Sequence, residues 1–113
     1  MDASLTFTAT GSPQAVSRAI EEYARGLGHV TAIVVPWQSD GETLCMAVTA
    51  VKSDGWAIQH TNLGTIRLTG AGPERTEVAI AAEPPDRPDR QQLADVFHRF
   101  ARLVQGRFQG AST

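Results

Sequence analysis

The chain is short, weakly acidic and apolar enough to form one hydrophobic core. Its 113 residues have the length of a single domain, 42% of them are hydrophobic, and the formal net charge is −2, which gives no general attraction for nucleic acid. The single cysteine, Cys45, excludes an intrachain disulfide, and no apolar run has the length of a membrane span. Because Met1–Ser4 also lacks the start of a signal peptide, we expect a cytoplasmic protein.

The N-terminal part of the chain is predicted to form a strand and a helix. Apolar residues alternate with threonines in Leu5–Thr10, which is typical of a half-buried strand. Ser12 and Pro13 then suit the N-cap and the first position of a helix, which we expect to end at Gly26 or Gly28. The apolar face of this helix contains Val16, Ile20, Tyr23, Ala24 and Leu27.

Four or five strands are predicted between residues 30 and 83. Ser-Asp-Gly tripeptides at 39–41 and 53–55 predict a hairpin at each end of a strand over 42–52, because Asp-Gly favours the tight turn. Residues 56–69 form either two strands or one strand bent near Gly64, since an internal glycine often marks a bulge. The last hairpin loop is predicted at 70–74, and the last strand follows it.

The clearest predicted element is a long amphipathic C-terminal helix. Asp89 followed by Gln92 has the pattern of a capping box. The apolar stripe of this helix contains Leu93, Val96, Phe97, Phe100, Ala101, Val104 and Phe108. We therefore predict an α+β fold, in which a curved antiparallel sheet of five or six strands in β-α-β(4–5)-α order is covered by the C-terminal helix.

This order of elements resembles the START/Bet v 1-like helix-grip (SRPBCC) superfamily. The resemblance lies in Leu5–Ala9 followed by Ser12–Val16, in the strand pair Gly64–Leu68 and Thr76–Ile80, and in the phenylalanine-bearing last helix. With at most six strands and no second short helix, the chain resembles a short and divergent member that forms a single domain over residues 1–113. The resemblance implies a hydrophobic ligand, such as a lipid, sterol or polyketide, held between sheet and last helix.

No catalytic or metal-binding motif is recognisable. No serine lies in a Gly-x-Ser-x-Gly pattern, and His29, His60 and His98 lack the spacing of metal ligands. We therefore predict no catalytic residue, no metal and no cofactor. A cyclase or dehydratase of the kind sometimes built on this fold would have only His60 and Tyr23 as acid–base candidates.

A ligand site between sheet and last helix would be lined by the inward side of each element. Trp56, Ile58 and His60 share one face of their strand, and we expect them to point inward. The candidate ligand-binding residues are Tyr23, Met46, Trp56, Ile58, His60, Phe97 and Phe100. Two functions stay open: binding of a small hydrophobic or aromatic ligand at this site, or a homodimeric protein–protein interaction module with a filled core and no ligand.

Overall fold

The computed structural model describes residues 4–36, 43–54, 57–83, 86 and 88–109. In this part of the chain the strands are β1 (Ser4–Thr10), β2 (Val30–Val34), β3 (Thr43–Asp54), β4 (Ala57–Gly70) and β5 (Arg75–Ala82), and the helices are α1 (Pro13–Leu27) and α2 (Arg90–Gln109). The hairpin predicted at 39–41 lies outside the described residues.

The strands form one antiparallel sheet in the order β1-β5-β4-β3-β2. Both helices pack on the same face of this sheet, α1 mainly on β2, and α2 across β1, β5 and β4. We call this the helix face, and the opposite side the outer face. The predicted fold class is confirmed, and residues 57–70 form one strand, β4, rather than two.

The two ends of α1 lie at the residues expected there. The Ser12 hydroxyl accepts a hydrogen bond from the Ala15 N–H at 3.2 Å, and Pro13 is the first residue of α1. Gly28 ends α1 in the left-handed conformation, with φ of 81°. In α2 the predicted stripe is turned to the sheet, where Phe97, Phe100, Ala101 and Val104 are buried.

β4 reverses its alternation at one point. Val48 of β3 pairs with Gly64, but the next residue, Thr49, pairs with Asn62. Leu63 is therefore an extra residue in β4, which makes this point a β-bulge. Leu63 and Gly64 are consecutive and yet both buried. One extra residue moves every earlier side chain of the strand to the opposite face. Even-numbered residues of β4 therefore point to the helix face after the bulge and to the outer face before it.

The bulge explains why the inward orientation predicted for Ile58 and His60 is wrong. Both residues precede the bulge, and both are exposed on the outer face, Ile58 with 65% of its surface. Alternation along the strand shows that they share a face but not which face it is. Trp56, predicted with the same orientation, lies outside the described residues.

Candidate functional site

The space between the sheet and α2 is filled at the predicted positions. Met46, Ile66, Phe97 and Phe100 each have at most 1% of their surface exposed. Side chains buried to this extent present almost no surface to a ligand between the sheet and α2. Met46, Phe97 and Phe100 do point inward as predicted, but they are packed core residues.

Gly64 is the reason that α2 lies so close to the sheet. A Cβ atom placed on Gly64 would be 2.7 Å from Cζ of Phe97, and closer still to the Ala81 carbonyl oxygen. The Phe97 ring therefore occupies the space that any other residue at position 64 would need. This contact leaves no space for a ligand between Phe97 and the sheet at Gly64.

Tyr23 lies at the side of the core, near the C-terminal end of α2. Its ring meets Phe108 edge-on, with 5.9 Å between centroids, and the Arg107 guanidinium lies 5.5 Å from its centroid. His60 is on the outer face of the sheet, so the structure does not bring these two acid–base candidates together.

An open groove runs between the C-terminal half of α1 and α2. One part, the His29 end, has a volume of about 260 Å³. It is lined by Leu27, His29, Val96, Arg99, Phe100 and Leu103. The other part, the Arg107 end, has a volume of about 290 Å³. It is lined by Glu22, Tyr23, Gly26, Leu27, Leu103 and Arg107. Since Leu27 and Leu103 belong to both parts, we treat them as one interhelical groove.

The groove lies where α1 ends and its chain turns into β2. A Cβ atom placed on Gly26 would meet nothing within 4 Å, and Gly28 turns the chain away into β2. Leu27 is consequently 39% exposed although it belongs to the apolar face of α1. The result is an apolar floor that is accessible from solvent.

The two ends of the groove differ in charge. Arg99 lies at the His29 end, whose lining contains no acidic residue. At the other end Arg107 is accompanied by Glu22. The Nδ1 atom of His29 is 3.0 Å from the Leu27 carbonyl oxygen. A carbonyl oxygen can only accept, so Nδ1 carries the hydrogen and Nε2 is the ring atom left for a ligand.

No group of three His, Cys, Asp or Glu residues is close enough to hold a metal ion within the described ranges. In the same ranges, neither helix has the length and apolar character needed to cross a membrane.

Two residues predicted for a site between the sheet and the last helix also line this groove, Phe100 at its His29 end and Tyr23 at its Arg107 end. Leu27, Leu103 and Arg99 were missed. Leu103 carried a usable signal, because it follows Val96 by seven residues and extends the stripe of α2 along one flank.

Comparisons with known proteins give the fold alone. No protein-family model and no curated protein matches the sequence. The vertebrate conserved region of human METTL16 is similar in structure, with a TM-score of 0.50 and 17% identity over 89% of this chain and 97% of that chain. A START superfamily protein from Mycobacterium smegmatis has a TM-score of 0.39 and 14% identity, over 97% of this chain and 98% of that chain. The Zhui aromatase/cyclase from Streptomyces sp. R1128 has a TM-score of 0.36 and 12% identity, over 95% and 85%. At these identities no residue role is carried over to this chain.

Proposed function

We propose that this protein binds a small apolar or aromatic molecule in the interhelical groove. The observation that carries the proposal is the apolar surface of Leu27 and Leu103, which lines both parts of the groove beside charged residues at each end. Apolar walls with a few polar groups are what small-molecule sites usually present. The ligand class is the one predicted from the sequence, but the site lies beside α2 instead of beneath it.

The number of heavy atoms in the ligand sets the affinity to expect. A ligand with about 17 heavy atoms, at roughly 0.3 kcal/mol per atom, gains about 5 kcal/mol, which corresponds to a Kd of about 0.2 mM. A natural ligand that fits both ends of the groove would bind more tightly, since it would bury more apolar surface.

The neutral fluorescent probe N-phenyl-1-naphthylamine tests this proposal. Protein is titrated into a fixed low concentration of probe, and we expect a saturable rise in fluorescence. Leu27→Gln removes part of the apolar floor and should weaken binding about tenfold. Ile33→Gln is the matched control, because Ile33 is 57% exposed but lies on the outer face of the sheet. Thermal unfolding of each variant verifies that it is folded.

Two results would contradict the proposal. One is the absence of saturable binding to the wild-type protein. The other is an equal loss of binding in Leu27→Gln and Ile33→Gln, which would show that the probe does not distinguish the groove from other exposed apolar residues.

The competing function is that of a homodimeric interaction module. It is supported by the filled core and by the exposed Ile33 and Ile58 on the outer face. Sedimentation velocity separates the two functions. A dimer that Ile33→Gln dissociates, together with absence of probe binding, would favour the interaction module.

A further inference from the structure

We infer that the ligand of the interhelical groove is an amphipathic acid, bound with its anionic group at the His29 end. This inference rests on the proposed function and names the class of molecule bound. It comes from the charged residues at the two ends of the groove and from the contact that Arg107 already makes with Tyr23.

The His29 end is the cationic end of the groove. Arg99 and His29 are the charged or titratable residues of its lining. The acid nearest to Arg99 along α2 is Asp95, one turn earlier, and its Oδ1 accepts a hydrogen bond from Gln91 Nε2 at 3.1 Å. No acidic residue follows Asp95 in the sequence. A ligand anion at this end would therefore meet attraction from Arg99 without an acid in the wall beside it.

Arg99 has the chemistry to hold an anion. A guanidinium presents paired N–H donors that match a carboxylate or sulfonate. The His29 ring is held by its Nδ1 hydrogen bond to the Leu27 carbonyl, so its Nε2 is an acceptor that suits a hydrogen-bond donor of the ligand and not the anion itself. Val96 and Phe100 lie in the same wall, so the apolar body of the ligand would begin directly beside its charged group.

The Arg107 end is less suited to the anion. The Arg107 guanidinium already lies over the Tyr23 ring, in a cation–π arrangement, and Glu22 lines the same part of the groove. An anion placed there would approach a carboxylate. We therefore place the apolar end of the ligand over Leu27 and Leu103, pointing toward Tyr23.

Two probes with the same rings show how much the negative charge of a ligand contributes to its affinity. 1-Anilinonaphthalene-8-sulfonate carries a sulfonate that N-phenyl-1-naphthylamine lacks. We expect the wild-type protein to bind the sulfonate about tenfold more tightly than the neutral probe. Arg99→Gln should abolish this difference between the two probes. Arg102→Gln is the matched control, because Arg102 is exposed on α2 but lines neither end of the groove, and it should preserve the difference.

The outcomes separate this inference from the proposed function. Equal affinities for the two probes, or an equal effect of Arg99→Gln and Arg102→Gln, would overturn the inference while binding in the groove still stands. Absence of binding by both probes would overturn the proposed function and the inference with it.

Vesicles distinguish a free acid from a lipid headgroup in a membrane. We expect the protein to stay in the supernatant when it is sedimented with phosphatidylglycerol vesicles. Co-sedimentation that Arg99→Gln abolishes would overturn the assignment to a free acid.

Discussion

The two sides of α2 differ in how closely they are packed. Beneath the helix, Phe97 is pressed against the backbone of Gly64, and the interface has no room for a ligand there. At its flank, Val96 and Leu103 border an open groove, and a Cβ atom placed on Gly26 of α1 at one end of this groove would meet nothing within 4 Å. One glycine thus lies in close contact, and the other faces open space. Under the proposed function, local packing on each side of α2 decides where a ligand can bind.

Phe97→Ala should have the largest effect on the closed side. Removing a ring that is 1% exposed leaves a cavity over Gly64, and such changes cost about 3–5 kcal/mol in the free energy of unfolding. Denaturant titration measures the change. A cost below about 1 kcal/mol would show that the interface beneath α2 is loosely packed, and the contrast between the two sides would be lost.

Gly64→Ala should destabilise the protein by a smaller amount, about 1–3 kcal/mol, because the added methyl group overlaps Phe97 and the Ala81 carbonyl. Gly26→Ala is its matched control on the open side. The methyl group meets nothing there, and replacing glycine within a helix should stabilise the protein by about 0.5–1 kcal/mol. Shifts of the same sign in the unfolding midpoints of the two variants would contradict the comparison.

The elements of the fold were predictable because their signals are local. The capping residues of α1 and the stripe of α2 depend on residues a few positions apart, and both were correct. β4 shows where this reasoning fails. Gly64 suggested a bulge, but the sequence does not show that Leu63 is the extra residue, and without that knowledge the face of Ile58 and His60 could not be assigned.

The groove was less predictable because it depends on two elements far apart in the sequence. Periodicity identifies the apolar face of each helix, but not that Leu27 and Leu103 come to lie side by side. It also does not reveal how closely Phe97 approaches the sheet, which depends on the backbone at Gly64. Membership in the helix-grip superfamily and the extent of one domain over residues 1–113 stay predictions.

The central claim is that the ligand binds beside α2 and not beneath it. Methyl resonances of the protein, recorded by NMR during titration with N-phenyl-1-naphthylamine, test this most directly. We predict saturable shifts for Leu27, Val96 and Leu103, with little change for Met46 and Ile66, which lie in the packed core. Shifts that are largest at Met46 and Ile66, with Leu27 and Leu103 unaffected, would contradict the account and return the site to the space between the sheet and α2.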